Sequence, residues 1–383
     1  MARALYIHWP FCAKKCPYCD FNSHVRANVD LSIWEEALLT DMQAEANLAS
    51  GEALTSIFFG GGTPSLMPPS LVEKLLYEAE QLWGFDQEIE ITLEANPSSV
   101  EAANFTGLAI AGVNRVSLGI QSFEDKALRW LGRLHGAEEA LAALAVAQKQ
   151  FERVSFDLIY ALPNQSPKQW EAQLAQALAM GTSHLSLYQL TIEPGTRFAT
   201  DVRRGEFEPL NDDNAAELFE ITQSMTGASN MPAYEISNHA KAGEASRHNL
   251  TYWRYEDYAG IGPGAHGRRG GFATTRHRKP ENYLKAIDER SHGIAEQRQL
   301  EVSEQASEAL LMGLRLVEGV DLAKLTTRFA MRRDSLINFD KLIHLQSLDL
   351  IWCEGDRIGV TVKGLPLLDA ILGELVAENL VLA

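Results

Sequence analysis

Tyr6-Ile7-His8-Trp9-Pro10-Phe11-Cys12-Ala13-Lys14-Lys15-Cys16-Pro17-Tyr18-Cys19 joins an apolar run to three cysteines within eight positions. The run Ala4–His8 reads as a first strand, so the thiols sit in the loop at its end. Thiolates at this spacing can ligate three irons of a cubane and leave the fourth iron open. The alternative is a zinc site completed by His8 or His24. Structural zinc takes four closed ligands, usually from paired Cys-x-x-Cys knuckles, and the sequence has no second knuckle. The fourth cysteine, Cys353, stands alone in Leu350-Ile351-Trp352-Cys353 and reads as a buried apolar side chain. Cysteines so clustered point to metal chemistry in a reducing compartment, not to a disulfide framework.

Further along, short apolar runs alternate with amphipathic stretches. Strands are expected at Ala4–His8, Ser56–Phe59, Glu88–Glu94, Arg115–Gly119, Val154–Ile159 and His184–Gln189. Helices are expected at Leu31–Leu48, Leu71–Trp83, Val100–Ala111, Ala137–Phe151 and Lys168–Met180. Strand then helix, repeated at this spacing, means parallel βαβ units. Six units suit a partial barrel, and the periodicity equally allows an open doubly wound sheet. Polar or glycine-rich residues follow each strand, at the end where α/β proteins place their chemistry: Gly60-Gly61-Gly62-Thr63-Pro64, Glu94-Ala95-Asn96-Pro97, Gln121 and Asp157. Glycines let the backbone approach a small polar ligand closely. The Gly-Lys-Ser/Thr ending of a nucleotide P-loop is missing. Glu94 and Asp157 could accept hydrogen bonds from ribose hydroxyls, while Gln121 and Asp157 could equally cap helices.

The pattern loosens over residues 192–300 and tightens again after Glu301. Ser303–Leu316, Asp321–Phe329 and Arg333–Ser347 read as helices, followed by strands Leu350–Cys353 and Arg357–Val362 around Glu354-Gly355-Asp356. The domains expected are therefore 1–191, a connecting region 192–300, and a winged-helix-like unit 301–383. The 383 residues carry a formal charge of -17, which opposes nucleic-acid binding, and the tail shows no basic recognition face. The densest basic segment, Arg268-Arg269 to Lys279 with Arg276, His277 and Arg278, reads as a solvated loop or a local pocket. No run approaches the roughly 20 apolar residues of a membrane helix, and Met1–Pro10 has no signal core, which implies a cytoplasmic chain.

These residues together resemble a known family. Tyr6–Cys12, Cys16–Phe21, Gly60–Ser65, Gly119-Ile120-Gln121-Ser122-Phe123 and Asp157-Leu158-Ile159-Tyr160 are similar to the oxygen-independent coproporphyrinogen III oxidase superfamily of radical S-adenosylmethionine (SAM) proteins, along essentially the whole chain. The resemblance implies an α/β fold: a partial (β/α)6 TIM-like barrel with a C-terminal helical winged-helix-like domain. It implies a [4Fe-4S] cluster on Cys12, Cys16 and Cys19, whose open iron chelates SAM and whose electron can cleave it. It also implies that Tyr6, Tyr18, Gly61, Gly62, Thr63, Glu94, Gln121, Arg133 and Asp157 line the SAM site. Two departures separate the chain from the oxidases. Phe21 stands where they carry a fourth cysteine, and their N-terminal extension has no counterpart here. His248-Asn249-Leu250-Thr251-Tyr252-Trp253 matches the His-Asn-x-x-Tyr-Trp motif of the haem-binding branch. That match implies His248 as an axial ligand of haem, with Arg247 near a propionate. The expectation is a chaperone that binds haem and passes it to acceptor proteins, with SAM cleaved, regulating transfer or steadying the cluster. The oxidase is the alternative.

Overall fold

The computed structural model describes residues 3–26, 28–49, 52–377 and 380. The apolar runs form six parallel strands: β1 (Ala4–Trp9), β2 (Leu54–Gly61), β3 (Phe85–Ala95), β4 (Arg115–Gln121), β5 (Arg153–Tyr160) and β6 (His184–Gln189). They pair in sequence order, Tyr6 beside Phe58 and Phe58 beside Thr92. Strands in such a sheet are covered on both faces, which is why these runs are nearly continuous in apolar residues. The crossover helices are α1 (Leu31–Leu48), α2 (Pro69–Trp83), α3 (Ala137–Gln150) and α4 (Pro167–Ala179). Their starts are set locally: Asp30 accepts from two backbone N–H groups of α1, and Ser166 with Gln169 closes a capping box on α4. The helix expected over 100–111 is broken into Ser99–Ala102 and Phe105–Ile110, where the Asn104 N–H bonds back three residues to Glu101.

Residues 192–300 are more than a connection. They extend the same sheet at both edges. β7 (Asn238–Ala240) lies antiparallel to β6, and β8 (Tyr258–Ile261) lies parallel to β1 on its free side. From β8 the sheet continues antiparallel through β9 (His266–Arg269), β10 (Phe272–Arg276) and β11 (Ile294–Gln299). The eleven-stranded order is β11-β10-β9-β8-β1-β2-β3-β4-β5-β6-β7, with an edge at each end. The sheet curls enough for Arg153, at the start of β5, to donate to Glu90 of β3 at 2.7 Å.

The basic segment is neither solvated loop nor pocket. Arg268, Arg269 and Arg276 are buried on β9 and β10. Arg269 and Arg276 each donate to Glu45 of α1 at 2.5 Å, and Arg276 faces Asp41 at 3.4 Å. Asp41 further accepts from the Tyr283 hydroxyl and the Gly262 and Gly293 N–H groups. Buried charges survive when partnered this fully, so the segment fastens α1 to the added strands. Arg278 and Lys279 are the exposed remainder.

A second core gathers Leu310, Leu314, Leu325, Leu345, Ile358 and Leu372. Its helices are Val302–Gly313, Leu322–Phe329, Phe339–Ser347 and Leu368–Leu375. A small antiparallel sheet places Arg357–Val360 between Val320–Asp321 and Ile351–Glu354. The third helix starts at Phe339, after a short 3-10 turn at Arg333–Ser335, because Asn338 caps it. Cys353 is half-buried against this core, less enclosed than expected. Arg268 stacks 3.5 Å over the Tyr255 ring while Arg328 donates to the Tyr255 carbonyl at 2.8 Å, clasping the two cores together. Residues 1, 2, 27, 50, 51, 378, 379 and 381–383 of the expected domains lie outside the described residues.

Candidate cofactor site

At the C-terminal ends of β1–β5 lies a cavity of about 420 Å³. Its wall contains Cys12, Cys16, Cys19, Tyr18, Gly61, Gly62, Thr63, Glu94, Gln121, Arg133 and Asp157. Tyr6 and His248 are not in this wall.

The geometry follows from backbone demands at the strand ends. Gly61 has φ +108°, and a Cβ there would sit 2.4 Å from the His8 ring. A Cβ on Gly62 would sit 2.6 Å from the Phe11 carbonyl oxygen. Glycine at both positions lets the end of β2 press against the cysteine strand, where the Gly62 N–H bonds Trp9 and the Thr63 N–H bonds Phe11. Gly132, at φ +73°, allows the same close approach to Pro17 and so delivers Arg133 over the loop. Arg133 donates to Cys16 Sγ at 3.6 Å, to Asn96 Oδ1 at 2.6 Å and to the Gly119 carbonyl at 2.8 Å. The Thr63 hydroxyl donates to Cys12 Sγ at 3.5 Å.

His8 is neither free nor a metal ligand in this arrangement. Its Nε2 lies 2.9 Å from the Asn22 carbonyl, so it donates there, and its Nδ1 accepts from the Tyr6 hydroxyl at 3.0 Å. Burial lowers it to about 4, which keeps the ring neutral. Tyr6 thus sits beneath the cavity and braces the loop through His8. His24 does not line the cavity. The zinc alternative loses its nearer histidine to these bonds, and among the described residues no three His, Cys, Asp or Glu gather as ligands of a single ion.

The carboxylates are perturbed. Burial, then the charge of Asp157, raises Glu94 to about 8 against one opposing bond from the Gly61 N–H. Burial raises Asp157 to about 6, with Ser186 and Ser117 pulling the other way. Asp157 accepts from Ser117 at 3.1 Å and caps no helix. Gln121 is no cap either: it holds φ +71°, and its buried Oε1 has no partner. A strained residue with an unpaired acceptor in a cavity wall is a vacancy for a donor on a ligand. Three thiols, a glycine cradle, an unpaired amide oxygen and two carboxylates held partly protonated form a donor set that fits an iron–sulfur cluster and a small polar ligand beside it.

His248 lies at the opposite end of the barrel. The helix Arg247–Trp253 plugs the N-terminal mouth, its start pinned by Glu90, which accepts from the Arg247 and His248 N–H groups. His248 is 1% exposed. Its Nδ1 lies 3.0 Å from the Ser56 hydroxyl, its Nε2 2.7 Å from the Tyr252 hydroxyl, and its ring stacks on Phe58 at 5.1 Å. Both nitrogens are occupied, so axial ligation of haem by His248 does not fit this structure. Arg247 is likewise engaged, with Glu88. The motif builds the barrel floor.

Sequence reasoning passed over two groups. Asn96 and Glu101 join the two thiol-bonding donors, a role signalled only by a polar Asn-Pro at a strand end. The other is a second cavity of about 820 Å³, which shares Tyr18, Cys19, Phe21, Glu94, Gln121 and Asp157 with the first. It runs from the open side of the sheet, at Tyr188 and Leu190, to Arg315 and Leu365–Ala370 of the C-terminal unit.

The Radical SAM superfamily model matches residues 6–175, and the HemN C-terminal domain model matches residues 300–367. "Heme chaperone HemW" of Haemophilus influenzae is 40% identical over 83% of this chain and 83% of its own. "Heme chaperone HemW" of Bacillus subtilis is 33% identical over 98% of this chain and 100% of its own. The chain belongs to the HemW family. The mitochondrial "Radical S-adenosyl methionine domain-containing protein 1" of Bos taurus is 39% identical over 83% of this chain and 74% of its own. The solved structure of coproporphyrinogen III oxidase (HemN) from Escherichia coli, 21% identical, aligns over 97% of this chain and 89% of its own with a TM-score of 0.81. That likeness establishes the partial-barrel fold. As radical SAM proteins, HemW-family chains take SAM and a [4Fe-4S] cluster. Among the described residues no helix is long and apolar enough to cross a membrane.

Proposed function

We propose that the chain is a haem chaperone, binding haem and passing it to acceptor proteins in the cytoplasm, on a radical-SAM core. Cys12, Cys16 and Cys19 would hold the cluster. SAM would lie against Gly61, Gly62 and Thr63, with Glu94, Gln121, Asp157 and Arg133 around it and Tyr6 bracing the floor of the site. When bound, these groups supply one-electron chemistry. The chain's own residues orient and shield. Gln121 Oε1 offers an acceptor to a ligand N–H or O–H. Glu94, raised to about 8, is largely protonated near neutrality and so can donate as well as accept. Tyr18 and the Gly61-Gly62 end of β2 complete the wall beside the three cysteines that would hold the cluster.

The observation carrying the reading is the second cavity, continuous with the first through the six residues that line both. Its volume lies within the range of sites for small molecules and cofactors, roughly 300–1,000 Å³. Apolar walls from Ile159, Leu190, Phe219, Ile236, Leu365 and Leu368 suit a porphyrin face. The charge on its lining favours haem over the oxidase substrate. Asp20, Asp157, Glu193, Asp212 and Asp369, with Glu94 largely neutral, stand against one arginine, Arg315, which lies 3.4 Å from Asp369. Coproporphyrinogen brings four propionates to that lining and haem brings two. Haem would seat its macrocycle inside and a propionate toward Arg315.

The test is anaerobic. Haem-loaded protein is mixed with an apo haem protein, and transfer is followed by the Soret band of the acceptor. A parallel sample with SAM, reductant and coproporphyrinogen is assayed for protoporphyrinogen. Haem transfer without oxidase product is expected, and robust oxidase turnover without haem binding would overturn the assignment.

A further inference from the structure

We propose that Asn96, held by Glu101, is a positioning residue that sets the reduction potential of the cluster by aligning the hydrogen-bond donors of two of its thiolates. The proposal rests on the reading of Cys12, Cys16 and Cys19 as cluster ligands.

The Asn96 side chain is bonded in both directions. Its Oδ1 accepts from Arg133 at 2.6 Å, and its Nδ2 donates to Thr63 Oγ1 at 3.2 Å. Each of those two partners donates onward to a different sulfur, Arg133 to Cys16 and Thr63 to Cys12. The Thr63 hydroxyl has a single hydrogen. By accepting from Asn96 it is left to spend that hydrogen on Cys12 Sγ. Asn96 therefore fixes the direction of one S-bonding donor and the position of the other.

Asn96 is itself fixed. Glu101, 6% exposed, accepts from the Asn96 N–H at 2.7 Å and from its Nδ2 at 3.2 Å, and also from the Ser65 hydroxyl. A buried carboxylate with three such bonds holds the amide in one orientation, Oδ1 toward Arg133 and Nδ2 toward Thr63. The helix breaks after Ala102, one residue past Glu101. Hydrogen bonds to cluster sulfurs withdraw charge from them, favour the reduced state and raise the potential. Losing them lowers it.

The experiment is redox titration of the reconstituted [4Fe-4S] protein without SAM, followed by the electron paramagnetic resonance signal of the reduced cluster. Asn96→Ala should shift the midpoint downward. Thr63→Val should shift it downward by a smaller amount, and Thr63→Ser, which keeps the hydroxyl, should return it to the wild-type value. Iron and sulfide content is measured on every variant. Full clusters with an unchanged midpoint in both Asn96→Ala and Thr63→Val would overturn the proposal. Failure of the wild type to assemble a cluster would instead strike the ligand assignment on which it rests. If Asn96→Ala assembles no cluster, Thr63→Val against Thr63→Ser decides: a midpoint separating them sustains the proposal, and identical midpoints refute it.

Discussion

Replacing His248 with Ala separates a floor residue from a haem ligand. The ring is 1% exposed, bonded at both nitrogens and stacked on Phe58. Its removal leaves the buried Ser56 hydroxyl and the Tyr252 hydroxyl without their partner. An orphaned buried polar group costs about 1–3 kcal/mol. The hole left by the imidazole adds to this, as in large-to-small core substitutions. The expected loss is about 3–5 kcal/mol, read as a lower midpoint in urea unfolding of the apo protein. Tyr252→Phe, which orphans only Nε2, should cost about 1–2 kcal/mol and keeps the test usable if the alanine variant does not fold. Burial holds the ring near a pKa of 3, against about 6.5 in the unfolded chain, so His248 should contribute stability that is full above about pH 6.5 and is lost as pH falls toward 3, a dependence that His248→Ala should remove. Haem bound by folded Tyr252→Phe or His248→Ala should show an unaltered Soret band. A stability change under about 1 kcal/mol together with a shifted Soret band would refute the floor role and restore axial ligation.

Gly62→Ala should reduce the iron taken up on reconstitution, because its Cβ would stand 2.6 Å from the Phe11 carbonyl oxygen and push the cysteine strand away; iron and sulfide analysis checks it. Glu94 and Asp157 are raised to about 8 and about 6, so between pH of about 4 and about 8 the folded apo protein holds protons that the unfolded chain has released. The contribution of these two groups should therefore fall as pH rises through that window, opposed below about pH 6.5 by buried histidines such as His8 and His239, and Glu94→Gln should flatten the fall above about pH 6.5; an identical slope in the variant would contradict the assignment. Arg315→Ala should weaken haem by about fivefold, near 1 kcal/mol, with cluster content unchanged, as measured by Soret titration.

The six parallel strands were legible because each is a local apolar run with its own turn chemistry. The cavity wall was legible because α/β folds bring strand ends together, so Gly61, Glu94, Gln121 and Asp157 meet once the strands are aligned. The remainder depends on contacts remote in sequence. Tyr258 pairs with Ala4, and Arg276 finds Asp41 from the far side of the sheet, which is why a run of arginines read as a surface segment. His248 was misleading for a related reason. A histidine flanked by aromatic residues looks the same whether the rings face a porphyrin or the strand residues Ser56 and Phe58. Asn96 gave little signal, because its two partners, Thr63 and Arg133, come from other strand ends.

The haem proposed for this chain would occupy the cavity between the open side of the sheet and the C-terminal unit. Ala216 lines it and is small, so Ala216→Trp would place an indole in that space. Haem titration of the anaerobically reconstituted variant beside wild type, read at the Soret band, is the direct measurement. Wild type should bind haem saturably and Ala216→Trp at least tenfold more weakly, with iron and sulfide content equal in both. Equal haem affinity in the two proteins would contradict this placement of haem.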